Sequence, residues 1–294
     1  MSCKGGSNCC KNRQTVQPFK SLATQMGRPH DLPRVVKIVD IKEENAQVRT
    51  FTLDLSVGAH PGQFVLLWIP RLDEKPFSVA FDDGQKLELS IAKVGPFTEA
   101  LFEKKVGDQV GIRGPFGKPF YYELGDRLAT IGGGYGAAPL YFLAHQAVQK
   151  GCTVEFIVGG RSKDHLLFIE RAAALPSTQV HVSTDDGSQG FKGYNVQLLN
   201  QLFDEGLALD RLITVGPERM MKAVSDVALE KNLECIVSVE RYMKCGFGIC
   251  GQCVIDESGM PTCMEGPAMD HKLARRQKEF GQYHRDALGK KHSF

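Results

Sequence analysis

No stretch of this 294-residue chain approaches the ~18 consecutive apolar residues that a membrane-spanning helix needs, so a spanning segment is not expected. The first twenty residues are polar and lack the apolar core of a secretory leader, which makes a soluble, cytoplasmic protein the expectation. Charge of one sign is scarce as well. The 36 Lys and Arg against 34 Asp and Glu leave a net charge of +2, giving no electrostatic reason to expect nucleic acid or an anionic membrane as partner. There is no internal repeat. None of the eight His stands in a recognisable catalytic motif and no Ser/His/Asp or Cys/His nucleophile is evident, so no catalytic residue is assigned. What remains is an ordinary globular composition, 42% hydrophobic and 24% charged, on a chain long enough for two or three domains with their own cores.

Cysteine is where the chain departs from the ordinary. Nine cysteines in a reducing compartment do not read as a disulfide framework, and they are bunched rather than dispersed. Cys152 and Cys235 sit in apolar surroundings and read as buried, inert thiols. Cys3, Cys9 and Cys10 lie in "MSCKGGSNCC" at the N-terminus and receive no role. Cys245, Cys250 and Cys253 crowd into "KCGFGICGQC", with Cys263 following. The order Cys-x4-Cys-x2-Cys plus a later Cys is the plant-type arrangement for a [2Fe–2S] cluster. Gly246, Gly248 and Gly251 let the backbone wrap a dianionic core and bring amide N–H groups to the sulfurs. A zinc ribbon is the alternative, but it prefers two CxxC pairs across a longer spacer.

The texture of the chain changes twice. Residues 1–32 are rich in Lys, Gln, Ser, Asn and Gly and read as a loosely ordered extension. Over residues 33–126, strands are expected in "RVVKIVDIKE", "AQVRTFTLDL", "GQFVLLWIP", "PFSVAF", "KLELSIA" and "DQVGIRG". Six strands and no convincing helix predict a small antiparallel barrel. Over residues 127–234, strands alternate with helices, among them "KDHLLFIERAAAL", which predicts a parallel α/β sheet covered on both faces. Residues 235–270 form the cysteine module, and residues 271–294 read as a charged, solvated helical tail.

"IGGGYGAAP" follows a strand and opens a helix, the setting of a dinucleotide fingerprint. Gly133, Gly134, Gly136 and Ala137 are candidates for close approach to a pyrophosphate at the helix N-terminus, although Pro139 stands where a third glycine would be. "VGPERMM" places Gly216 and Pro217 at the end of a later strand, on the carboxyl edge where such sheets bind ligands. "STDDG" ends the third strand. Asp185 and Asp186 there would accept from a ribose 2′-hydroxyl and repel a 2′-phosphate, which favours NAD(H) over its phosphorylated form, while Arg161 and Lys163 argue mildly the other way.

A barrel, a nucleotide domain and a C-terminal cluster module, in that order, resemble the ferredoxin-reductase-like iron–sulfur flavoproteins. Within them, residues 33–270 look most like the electron-transfer subunits of NAD-linked (type B) dihydroorotate dehydrogenase, on "PGQFV", "KPFSVA", "GPFGKPF", "STDDGSQGFKG", "GPERMMKAV", "ERYMKCGFGICGQC" and "TCMEGP". The resemblance implies FAD, with an R-P-x-S segment whose Ser lies near the flavin ring and whose Arg lies near the phosphates. Lys75, Pro76, Phe77 and Ser78 match it, Lys75 keeping the charge of Arg but losing its fork. A second segment implied to hold the FAD pyrophosphate matches Ile91, Ala92, Lys93, Gly95, Phe97 and Thr98, with Phe97 replacing a glycine. The chemistry is consistent: nicotinamide moves two electrons, an iron–sulfur cluster takes one, and a flavin converts between them.

The resemblance further implies an oxidoreductase component relaying electrons between NAD(H), FAD and the cluster. Its partner would be a catalytic subunit carrying FMN, in pyrimidine biosynthesis, within a hetro-oligomer of the two chains. The same modules serve anaerobic sulfite reductases, sulfhydrogenases and ferredoxin:NAD(P) oxidoreductases, which stay open as alternatives. A non-catalytic redox sensor would predict no turnover of NADH.

Overall fold

The computed structural model describes residues 32–294. The expected N-terminal extension, with Cys3, Cys9 and Cys10, lies outside the described residues apart from Leu32. Seven antiparallel strands come first: β1 (Arg34–Glu43), β2 (Val48–Leu53), β3 (Phe64–Ile69), β4 (Asp73–Ser78), β5 (Phe81–Asp82), β6 (Leu87–Ala92) and β7 (Gln109–Phe116). Their order is β4-β3-β7-β1-β2-β6-β5. Alternation sets their faces, so that β6 buries Leu87, Leu89 and Ile91 and turns Glu88 and Ser90 the other way.

The expected strand "PFSVAF" is two strands with one function. Up to Ser78 it pairs with β3, and the Val79 amide still donates to Gln63 at 3.0 Å. The next amide, Ala80, donates to Glu88 of β6 at 2.9 Å. This crossover joins the two edges of the sheet and curls it around Phe51, Leu53, Val65, Leu67 and Leu89. The expectation of no helix here is corrected by α1 (Pro96–Phe102). Proline suits its first turn, and the Thr98 hydroxyl accepts from the Val94 and Gly95 amides at 2.8 and 3.0 Å. At seven residues the helix is too short to show a period in sequence.

The second unit runs β8 (Arg127–Gly133), a 3-10 turn (Gly134–Gly136), α2 (Ala137–Gln149), β9 (Thr153–Gly160), α3 (Ile169–Ala173), β10 (Thr178–Thr184), β11 (Phe191–Lys192), α4 (Asn195–Asp204), β12 (Arg211–Val215), α5 (Glu218–Glu230) and β13 (Glu234–Ser238). Strand order is β11-β10-β9-β8-β12-β13, parallel throughout. β8 has β9 on one side and β12 on the other, so chain connections diverge from it and a crevice opens at its carboxyl end. α2 and α3 fill the face toward the barrel, and α4 and α5 fill the other. The long helix expected over "KDHLLFIERAAAL" is shorter than read. Phe168 adopts a left-handed φ of 64°, and the α-helix starts only at Ile169.

Two C-terminal expectations are also corrected. A module boundary after residue 234 would cut into β13, which pairs in parallel with β12 and belongs to the nucleotide sheet. The cysteine loop follows it, with α6 (Thr262–Glu265), and β14 (Ala268–Asp270) returns antiparallel to β13. The tail is not a solvated helix. Only α7 (His271–Arg275) is helical, and a hairpin of β15 (Tyr283–Arg285) and β16 (Lys291–Ser293) follows. His271, Ala274, Phe280 and Glu279 are buried. The charges that read as a solvated face include partners of charges elsewhere in the fold. Among the described residues no helix is long and apolar enough to cross a membrane.

Candidate functional site

The glycine turn sits at the divergence point of the parallel sheet. A Cβ on Gly133 would come within 2.8 Å of Pro217 Cδ, and one on Gly136 would collide with the Val215 carbonyl. These glycines therefore seat the turn against the end of β12. Gly134, with φ of 55°, has open space where its Cβ would be. Gly216 abuts the Gly133 backbone, so "GGGYG" and "VGP" meet across the crevice.

A cavity of about 1700 Å³ opens above that edge. Gly133, Gly134, Asp185, Gly216 and Pro217, all anticipated from sequence, line it. Ala137 lies beneath it in the core. Asp185 lines the cavity and Asp186 does not, because the Asp186 carboxylate turns back to accept from the Ser188 amide at 2.9 Å. Arg161 lines it too. The Ser183 hydroxyl, buried on the cavity wall, has no hydrogen-bond partner in the protein. A polar ligand at this wall would satisfy it.

A smaller cleft of about 200 Å³ lies between barrel and sheet. Pro76, Phe77, Ser78, Ile91, Ala92, Thr98 and Gly136 line it, so the two barrel segments anticipated from sequence converge there. Other anticipated residues point elsewhere. Lys75 Nζ lies 2.6 Å from Asp73 and donates to Tyr242 Oη at 3.2 Å, bridging the barrel to the segment before the cysteines. Lys93 reaches over the Phe102 ring, and Phe97 stacks on Phe77 at 5.9 Å. Gly95 and the Thr98 hydroxyl are engaged with each other.

The cysteine loop rests on the barrel beside that cleft. Phe64 and Met243 line the cleft and belong to the same buried cluster as Cys253 and Cys263. Gly246, with φ of 84°, fits against Phe116 and Leu66, where a Cβ would crowd the Phe116 ring and a Leu66 methyl. Among the described residues no three His, Cys, Asp or Glu side chains gather as ligands of one ion. The thiols stand in two pairs instead, Cys245 with Cys250 and Cys253 with Cys263. Two pairs of thiols on adjoining turns suit two metal atoms better than one.

The loop favours thiolate at Cys245 and Cys253. Burial pushes Cys245 up, but hydrogen bonds from Cys250, Phe247 and Ile249 bring it down to about 7. The Cys263 thiol, bonding to Cys253, lowers Cys253 to about 6 and raises its own. The Gly248 amide donates to Cys263 Sγ at 3.2 Å and the Cys263 amide to Cys253 Sγ at 3.4 Å. Burial instead pushes Cys152 and Cys235 up, as inert core thiols.

Sequence reasoning missed Tyr135, Glu240 and Met243 as lining residues. Glu240 and Met243 fall in "ERYMKC", directly after β13, and the carboxyl end of a parallel strand is the signal that points to them.

The comparisons with known proteins agree with this geometry. Residues 240–273 match the family model "Iron-sulfur cluster binding domain of dihydroorotate dehydrogenase B", and residues 130–226 match "Oxidoreductase NAD-binding domain". The chain is 41% identical over 259 residues to the probable dihydroorotate dehydrogenase B (NAD(+)), electron transfer subunit, of Methanocaldococcus jannaschii, covering 88% of this chain and 98% of that protein. A protein of the same description from Methanothermobacter thermautotrophicus is 40% identical, with 89% and 97% covered. Among solved structures, one described as an NADH-dependent reduced ferredoxin-NADP oxidoreductase superposes with a TM-score of 0.74 at 29% identity, covering 81% of this chain and 89% of that one. Barrel, nucleotide sheet and paired thiols, together with this extent of identity, mean that the chain belongs to the family of dihydroorotate dehydrogenase B electron-transfer subunits.

Proposed function

We propose that this chain is the electron-transfer subunit of an NAD-linked dihydroorotate dehydrogenase, relaying electrons between NAD(H), FAD and a [2Fe–2S] cluster. Its partner in this reading is an FMN-carrying catalytic subunit that oxidises dihydroorotate. One observation carries the reading: the large cavity, the barrel-side cleft and the cysteine loop are contiguous. Tyr135 and Glu240 border both cavities, while Phe64 and Met243 line the cleft and pack in one buried cluster with Cys253 and Cys263.

A bound flavin supplies the conversion between two-electron and one-electron chemistry. The protein's part is placement. Pro76, Phe77, Ser78, Ile91, Ala92 and Thr98 form the wall for the ring, while Lys75, Lys93, Gly95 and Phe97 lie outside the cleft lining and hold the segments that carry it. Gly134 leaves open space for close approach at the start of α2, while Gly133 and Gly136 seat the turn against Pro217 and Val215, with Ala137 packed beneath and Gly216 opposite. Cys245, Cys250, Cys253 and Cys263 would hold the cluster, which would pass electrons one at a time.

A second reading keeps this chemistry and changes the partner to that of a ferredoxin:NAD(P) oxidoreductase, and the similarity to the solved structure so described favours it. Anaerobic purification and a visible spectrum before and after NADH test the common core. Flavin bands over a broad iron–sulfur background, both bleaching, are expected, whereas a colourless zinc protein that resists reconstitution would refute it. Co-purification with an FMN protein that oxidises dihydroorotate separates the two partners.

Asp185 carries the proposed preference for NAD(H). A carboxylate on the cavity wall accepts from a ribose hydroxyl and repels a phosphate there. Asp185→Ser should raise the ratio of NADPH to NADH turnover about tenfold. An unchanged ratio would remove Asp185 from this role.

A further inference from the structure

Five residues line both cavities: Val94, Tyr135, Val215, Glu240 and Arg241. The far end of the large cavity, at Gly160, Arg161 and Asp185, is the adenosine end in the reading above, and the present inference rests on that reading. The shared end is then where the nicotinamide ring meets the barrel-side cleft. The charges at this junction do not balance. Arg241 gives its guanidinium to Glu218 and Glu279, with Nε 2.5 Å from Glu279 Oε1. With Glu240, three carboxylates gather around one guanidinium.

Glu240 is the carboxylate left over. It lies two residues past the end of β13, and among the described residues its side-chain oxygens accept no hydrogen bond, while Arg241 donates to its backbone carbonyl. Its surface is exposed and opens onto both cavities. Its carboxyl is pushed above the usual carboxylate range by the protein packed around the cavity mouth and then by Glu218, with Arg241 opposing, so a cation beside it favours its ionised form. The charge on Glu240 also holds the Tyr135 phenol up at about 12. A cation entering the junction relieves each of these costs. In NAD+ the nicotinamide is a pyridinium cation, and in NADH it is neutral.

We propose that Glu240 faces the nicotinamide ring and makes the site select the pyridinium charge of NAD+ over the neutral dihydropyridine of NADH. Product NADH is thereby released more readily than substrate NAD+ in the direction of dihydroorotate oxidation. Val94 and Val215 supply the apolar flanks of the same junction, and Tyr135 its other polar wall.

The test is calorimetric titration of the cofactor-loaded protein, under anaerobic conditions, with NAD+ and with the neutral, non-reducing 1,4,5,6-tetrahydronicotinamide analogue. Glu240→Gln preserves shape and removes charge. It should weaken NAD+ binding about tenfold while moving the analogue less than about twofold. Glu240→Asp keeps the charge and should retain most of the preference. Equal weakening of both ligands by Glu240→Gln would indicate a structural role and overturn the inference. So would no change in either, or an Asp variant that behaves like the Gln variant. If the unsubstituted protein bound neither ligand, the nucleotide reading itself would fall, and this inference with it.

Discussion

Cys250→Ser is expected to abolish the broad visible absorbance and the reduced-state spin signal of the cluster, leaving flavin bands in place. Cys250 is the exposed member of its pair, and its partner Cys245 is brought down to about 7 by bonds from this same short loop. A serine hydroxyl stays protonated at neutral pH and offers iron a harder, poorer ligand than thiolate. Losing one of four ligands leaves one iron under-coordinated, so the whole centre is lost rather than weakened. The flavin should survive, because Cys250 lies outside the cleft, whose wall toward the loop is Phe64 and Met243. NADH should still bleach the flavin, while electron delivery through the cluster to a one-electron acceptor falls at least tenfold. The matched control is Cys235→Ser, a core thiol of β13 remote from the loop, which should keep full cluster absorbance. Cluster signals persisting in Cys250→Ser would remove it from the ligand set.

Arg241→Met should cost about 3–5 kcal/mol of stability, because it strands two buried carboxylates. The side chains of Arg241, Glu218 and Glu279 are 4%, 5% and 2% exposed. The guanidinium links the start of α5 to the C-terminal tail, and its loss leaves Glu218 and Glu279 facing each other without a counter-charge. Burial already holds the Glu218 carboxyl above its usual range even with Arg241 present. Glu279 also accepts from the Asp256 amide at 3.1 Å, and Glu218 accepts from the Gly281 amide at 2.8 Å, so tail, helix and cysteine module loosen together. A drop of about 10 °C in melting temperature is expected for a chain of this size. A change below about 2 °C would refute this account. Replacing all three residues with apolar groups of similar volume should recover much of the loss, since the desolvation cost disappears with the charges.

The parts of the fold that were legible in sequence are those set by short-range physics. Strand alternation in "KLELSIA", the glycine turn of "IGGGYGAAP" and the spacing in "KCGFGICGQC" each encode their structure within about ten residues. The parts that were not legible depend on distant partners. "PFSVAF" reads as one strand because its alternation is unbroken, yet β3 takes its first half and β6 its second. Lys75 reads as a phosphate ligand by position, but Asp73 and Tyr242 hold its ammonium.

By itself, then, the sequence determined which local chemistries this protein carries: thiolates at cluster spacing, a strand–glycine–helix turn and an acidic residue after the third nucleotide strand. Only the tertiary structure decided how they are joined. It set Met243 and Phe64 between the cleft and the thiols, and chose Asp185 over Asp186 for the cavity wall. It set Glu240 where the two cavities meet. It also turned an apparently solvated tail into the buried counter-charge of Arg241. The physical reason is the range of the forces. Backbone geometry and ligand spacing are fixed by neighbours in sequence, whereas burial and charge balance depend on everything that folds into contact.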